Sequence, residues 1–281
     1  MSTTALSPSS RRTPTIRPRS PRFDFQSVPR RWFGGSVVAT HLANGLNLLF
    51  PAGERFFVRS VRRYLDRIDD PKLREDIKGF SGQEGSHACA HERYFEALER
   101  QGFAVRGFLR FYEKFAYDFV ERIAPAELRL AATAACEHFT ATMATHALAR
   151  EAEGTMVVSD PAMRALLLWH AVEEIEHRAV AFDVLQAVNP SYELRVAGLA
   201  VATSMLFGLW MIAAGTLLVQ DRAKPARLAR ELRSRREFRA SHPTPGFGSA
   251  IRAYLQRDFH PLQDSACDDL ARAYAAAAGL S

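Results

Sequence analysis

The sequence predicts an all-α protein: a four-helix bundle followed by a long apolar helix towards the C-terminal end. Three observations carry that prediction. No stretch of the 281 residues sustains the period-two alternation of a half-buried strand. Helix punctuation by Asp-Pro, Pro and Gly recurs along the chain. Finally, Glu54, Glu84-x-x-His87, Glu137 and Glu174-x-x-His177 follow one another in that order, each within a helical stretch.

The elements follow in order. Residues 1–31 are rich in Ser, Thr, Pro and Arg, with almost nothing apolar to bury, and read as a disordered basic arm. No apolar run follows its arginines, so it is not a secretory signal. Residues 32–190 read as the helical bundle. Pro51 opens a helix at its first turn, with Phe57, Val61 and Leu65 at helical spacing behind it. Asp70-Pro71 caps a second helix, running towards Gly102. A third runs from Phe103 to just before Pro125, and an Ala-rich fourth from Pro125 to Glu151, ahead of Gly154. Asp160-Pro161 starts a fifth, which Asn189-Pro190 stops. Residues 191–221 contain the apolar helix. Val196 to Gln220 carries no charge and, as a helix at about 1.5 Å per residue, would be roughly 37 Å long, enough either to cross a bilayer or to dock on one. Residues 222–281 read as a basic helical tail, with a short helix from Phe247 to Phe259.

Charge and cysteine usage narrow the function classes. The net charge of +6 is concentrated in two blocks. Arg11 to Arg31 holds seven arginines against Asp24, and Arg222 to Arg239 eight Lys/Arg against Glu231 and Glu237. Such blocks suit an anionic membrane surface. Without interleaved aromatics or a known module they do not suit nucleic acid. The expected location is cytoplasmic, associated with the inner membrane. Cys89, Cys136 and Cys267 are too few, and wrongly spaced, for a disulfide framework or a zinc ribbon. Beside the candidate ligands, Cys89 and Cys136 read as small core residues. Walker, G-x-G-x-x-G, G-x-S-x-G and H-E-x-x-H motifs are missing. Oligomeric state is not legible.

The ordered Glu and His residues carry the chemistry. Residues three apart share a helix face, so Glu84 pairs with His87 and Glu174 with His177. One Glu from each of two helices plus a Glu-x-x-His pair from each of two others is the ligand pattern of a carboxylate-bridged two-metal site. With 18 Glu and nine His, chance alone supplies about 0.6 such pairs. The order of ligands, and the apolar or small residues around them, therefore argue more than the spacing does. A charged residue on an otherwise buried face needs a partner, and a metal ion is the natural one. The predicted ligands are Glu54, Glu84, His87, Glu137, Glu174 and His177. His91, His138 and His170 are candidates for further ligands or for hydrogen-bond partners of ligands. Glu173 and Glu176 are candidates for a general base.

These residues also carry a family resemblance. G-E-R-F at Gly53, G-Q-E-x-x-H-x-x-x-H ending at His91, T-A-A-x-E-H-x-T-A at Thr133 and W-H-x-x-E-E-x-E-H-R-x-V-A-F-D-V at Trp169 resemble the bacterial proteins described as predicted metal-dependent hydrolases, over roughly residues 35–240. The ligand order also resembles the ferritin-like di-iron proteins, which implies a ferritin-like bundle with a dinuclear site. The two resemblances agree on metal and differ on chemistry. A carboxylate-rich set with two imidazoles suits two Fe ions, with Mn or Zn as alternatives. Coordination chemistry thus puts O2-dependent oxidation of a small apolar or lipid-like substrate first. Metal-dependent hydrolysis and non-catalytic iron handling are the alternatives.

Overall fold

The computed structural model of the chain describes residues 16–241 and 246–280, without the side chains of 235–241. Helices α1 (Val37–Arg62), α2 (Pro71–Arg100), α5 (Ala126–Ala152) and α6 (Pro161–His177) enclose the centre of the molecule. Between α2 and α5 runs a second-layer rod: α3 (Val105–Glu113), a π-helical segment (Lys114–Val120) and the short turn α4 (Glu121–Ile123). After α6 come α7 (Val180–Val188), the long α8 (Tyr192–Asp221), α9 (Pro225–Ser241), α10 (Phe247–Tyr254) and α11 (Ala266–Ala277). No strand occurs among the described residues; a lone antiparallel bridge joins Phe33 and Val158. The all-α expectation holds.

The caps explain most helix starts. Asp70 and Asp160 accept from the backbone N–H of Lys72 and Met163, both at 2.9 Å, and each is followed by Pro at the first helical position. The expected start at Pro51 is corrected. The helix begins fourteen residues earlier, where Ser36 caps Ala39 N, and Pro51 lies inside it. Burial overrides the local signal: Val37, Val38, Leu48 and Leu49 are all buried, and Asn44-Gly45, ordinarily a turn dipeptide, sits mid-helix. The expected fifth helix is in fact two, α6 and α7, broken just after His177. At the break the buried Arg178 donates to Ile175 O at 2.6 Å and to Asp268 at 2.7 Å, tying α11 to the bundle.

The N-terminal arm is also corrected. Residues 1–15 lie outside the described residues, but from residue 16 onward the arm is packed on the bundle, with Ile16, Phe25 and Val28 buried. Phe23 lies 5.6 Å from the Trp169 ring and Phe25 5.4 Å from that of Tyr94. Of the second basic block, the side chains of Arg235, Arg236 and Arg239 lie outside the described residues. Its anchor is Glu231, which accepts from Val38 N at 3.0 Å and Ser36 Oγ at 2.9 Å at the N-terminus of α1.

Helix α8 is the one described helix long and apolar enough to cross a membrane. It does not stand apart. One face, including Leu199, Ala202, Leu209, Ala213 and Leu217, is buried. Ala197, Ala200, Ser204, Gly208, Met211, Ile212 and Val219 face outward. Two glycines set its close approach: a Cβ on Gly45 of α1 would fall 2.8 Å from Ala214 N, and one on Gly198 would fall 2.5 Å from the Ala131 carbonyl carbon of α5. Gly198→Val should therefore force α8 off α5 and destabilise the fold by about 2–3 kcal/mol, the range of a core overpacking. An unfolding midpoint in urea equal to wild type would show that α8 is not an integral wall of the bundle.

Candidate metal centre

Glu54 from α1, Glu84, His87 and His91 from α2, Glu137 from α5, and His170, Glu174 and His177 from α6 converge in the bundle centre, none more than 5% exposed. Their donor atoms form overlapping groups, each within 4.8 Å: Glu54–Glu84–His87, Glu84–Glu137–His177, His87–His170–Glu174 and Glu54–His91–His170. Glu84 belongs to the first two of these and Glu54 to the first and the last. All six predicted ligands are thus brought together, with His91 and His170 beside them. His138 is not: it lies on the other side of α5, its Nε2 2.9 Å from Ala250 O and its ring against Tyr254 and Phe259.

Hydrogen bonds fix which ring nitrogen faces inward. The Gln83 amide donates to Arg17 O and to Glu176 Oε2, leaving its oxygen 2.9 Å from His177 Nδ1. His177 therefore donates from Nδ1 and turns Nε2 to Glu84 and Glu137, whose oxygens are 3.1 and 3.3 Å away. Glu173 accepts from His87 Nε2 at 3.0 Å, so Nδ1 faces Glu84 and Glu174, both at 4.0 Å. Thr140 Oγ1 donates to Glu174 Oε2 and steadies that carboxylate. Phe80, Trp169 and Phe50 stand against the rings of His177, His87 and His91 and keep the centre dry.

Two observations show that these residues fit cations. Both oxygens of Glu54, Glu84 and Glu137, with His87 Nδ1 and His177 Nε2, are buried without a hydrogen bond. Such a concentration of unpaired polar atoms is costly unless a positive charge lies among them. The second concerns protons. Asn47 donates its NH2 to Ala43 O, so its oxygen faces His91 Nδ1; His91 Nε2 meets His170 Nδ1 at 2.7 Å, and His170 Nε2 meets Glu174 Oε1 at 2.8 Å. Both ends of this chain are acceptors. Its three contacts need three protons, and two neutral imidazoles supply two. Either one further proton on the chain or a cation between His170 Nε2 and Glu174 makes up the difference.

The electrostatics follow burial at most of these groups; burial also acts downward on His177, but Glu174 and Glu137 outweigh it and hold that imidazole well above its ordinary value. Burial, then the neighbouring carboxylates, pushes Glu54 and Glu84 well above the usual carboxylate range, and burial pushes Glu137 up to about 7. Burial also acts upward on Glu174, but His177 and His170 outweigh it and hold that carboxyl well below its ordinary value. Burial lowers His87 and His91. Beside the site, burial raises the Cys136 thiol to about 12, and its sulfur is in none of the clustered donor groups. Cys89, expected in the core, is exposed on the far face of α2.

The two candidate bases are both engaged by neighbouring side chains. Glu176 is held by both Nη atoms of Arg19, at 2.8 and 2.7 Å, and by Gln83. Glu173 is wholly buried between His87 and Arg19 Nη1 at 3.1 Å. Glu173 thus bonds the His87 imidazole directly, and Glu176 reaches His177 only through Gln83. Sequence reasoning missed Arg19, Asn47, Gln83 and Thr140. Gln83 and Thr140 lie inside the quoted motifs, whereas Arg19 sits in a stretch with no helical pattern. Arg19→Ala should lower metal affinity about 10–100-fold, the cost of losing a group that orients ligands. Arg19→Lys should recover only part, because a single ammonium cannot grip both carboxylates. Metal titration of folded variants checks this; unchanged affinity in both would remove the role.

Fold and cluster together define an all-α protein with a buried carboxylate–imidazole centre suited to metal ions. The family model described as "predicted metal-dependent hydrolase" matches residues 17–265, and the chain belongs to that family. The match takes in Arg19 and runs past the expected span through α10 to residue 265. Neither a curated protein nor a solved structure matches the chain.

Proposed function

We propose that the protein is a metal-dependent hydrolase whose ferritin-like four-helix bundle holds two divalent ions. Glu54, Glu84, His87, Glu137, Glu174 and His177 would be the ligands, with Glu84 shared and His170 Nε2 completing the set. The observation that carries this reading is the convergence of unpaired buried donor atoms on two groups that share Glu84. When bound, the ions would supply Lewis acidity towards water and towards an acyl or phosphoryl oxygen. The chain's own contributions are orientation and dryness. Gln83 and Glu173 hold the two imidazoles with their lone pairs inward, and Thr140 fixes Glu174. The carboxylate-rich donor set suits Fe or Mn, with Zn as the alternative.

The donor set alone would also serve O2 chemistry, which the sequence ranks first; the family description reverses that order. Ester or phosphoester cleavage at equal rates with and without O2, lost on chelation, supports hydrolysis. Substrate-dependent O2 uptake by the iron-loaded protein, without any such cleavage, overturns it.

We also propose that the protein docks on the cytoplasmic side of an anionic membrane. The outward face of α8 is apolar, and Phe111, Phe115, Phe119 and Ile123, 39–66% exposed at four-residue spacing, form a second apolar row. Sedimentation with anionic vesicles, weakened when Phe115 and Phe119 are replaced by Ser, supports docking; no sedimentation at low salt counts against it.

A further inference from the structure

An apolar slot runs between α1, α5, α8 and the π-helical segment, and its inner end touches the metal centre. Glu54 and Thr140 line that end, with Cys136 beside them. Its outer end carries Glu121 and Arg129, 3.8 Å apart, and Glu121 is also held by Arg59 at 2.6 Å. Between the ends the wall is made by residues such as Phe57, Ala116, Ala132, Val201, Met205 and Leu209. The two hydroxyls that reach it are already used: Tyr117 and Tyr112 bond to one another, and Tyr112 OH to Leu49 O at 3.2 Å. They stand 3.7 and 3.6 Å from where a Cβ on Gly53 would be, one residue before Glu54. The cavity volume is about 110 Å³, and its α5 lining, Leu128, Ala132, Cys136 and Thr140, is spaced by fours, so it extends roughly 18 Å along that helix at about 1.5 Å per residue. An elongated apolar passage with polar groups at its ends matches a linear hydrocarbon chain better than a ring system or a charged metabolite. π-helical segments commonly occur where a helix is reshaped for a site, and Ala116, Tyr117 and Val120 of this one line the slot.

We infer that the slot binds one linear acyl chain, and that the substrates are esters or amides of such a chain. This assignment rests on the hydrolytic reading above. Water adds to the acyl carbon and the C–O or C–N bond breaks. One proton of the water passes to the departing alcohol or amine, and the hydroxyl stays with the acid.

Two measurements on the full-length protein test this. The first is calorimetric binding of saturated fatty acids of increasing length, with and without chelator. The second is turnover of p-nitrophenyl esters from acetate upward. Affinity should rise up to about fourfold per added CH2, from ~0.8 kcal/mol per buried CH2, and level off once the slot is filled. Val201→Trp, which places an indole in the slot, should lower long-chain affinity and the long-to-short turnover ratio at least tenfold. Met205→Ala should move the plateau to longer chains. Ala273→Trp, at an exposed position on α11, should change neither. Affinity independent of chain length, or the same result for Val201→Trp and Ala273→Trp, overturns the slot. Ester cleavage without length dependence would leave hydrolysis standing and remove the slot. Slot-dependent binding without cleavage of any ester would do the reverse. Fatty-acid release from diacyl vesicles would support the slot with membrane lipid as the acyl source, and cleavage of dissolved single-chain esters alone would support it with a soluble one.

Discussion

Replacing Glu84 by Gln is expected to strip the purified protein of the two metal ions proposed for its centre and to reduce turnover at least about a thousandfold, the scale on which metal-assisted hydrolysis depends on its ions. Glu84 is the carboxylate common to the groups containing Glu54 and His87 on one side and Glu137 and His177 on the other. An amide keeps its shape and volume but contributes no charge to hold a cation. The same substitution should raise the stability of the metal-free protein. Glu84 is buried among Glu137 and Glu174, and both burial and their charge disfavour its ionised form. The variant thus trades function for fold: metal-free Glu84→Gln should melt above metal-free wild type. Retention of one ion with measurable turnover would reassign Glu84 as a ligand to a single site.

The second large effect is a reversal of pH dependence by metal. Metal-free Glu137→Gln should become more stable than metal-free wild type as pH rises. Glu137 ionises near 4.5 when exposed and near 7 in the fold, where burial holds the proton on. A raised carboxyl contributes its stability in full below the exposed value and loses it as pH rises to the folded value. The gap should therefore open between pH 4.5 and 7, towards on the order of 3 kcal/mol at about 1.4 kcal/mol per pKa unit. His87 and His91, held below their ordinary value, act in the opposite sense but are common to both proteins, so the difference isolates the carboxylate. With metal present the trend inverts, because ions and protons compete for the same oxygens. Urea midpoints at pH 5 and pH 8, with chelator or with metal, measure both. A gap that does not change with pH would show that Glu137 is ionised throughout.

The ligand order was legible because helical periodicity is a local property. Glu84 and His87, like Glu174 and His177, share a face whatever the tertiary structure, and Asp-Pro caps place the helices that bear them. Burial distinguishes the rest. His138 adjoins Glu137 in sequence, yet the helix turns it about 100° away, towards α10. His170 and His91 looked no stronger than His138, and their inclusion depends on how α2 and α6 face one another. Pro51 misled because a proline at the first helical turn and a proline inside a helix look alike until packing decides. Arg19 was invisible for a different reason. Its partners Glu173 and Glu176 lie more than 150 residues away, and nothing in a Ser/Pro/Arg-rich arm signals that one guanidinium bridges them. The slot was equally hidden, since it is formed where a π-helical segment meets the inner face of α8.

The central claim is that the bundle centre holds two metal ions through the six predicted Glu and His residues. Elemental analysis of the protein purified without added metal or chelator, beside Glu84→Gln prepared identically, tests it most directly. Close to two Fe, Mn or Zn ions per wild-type chain and almost none in the variant is the predicted result. Fewer than one ion in ten wild-type chains, or an equal content in the two proteins, would contradict it.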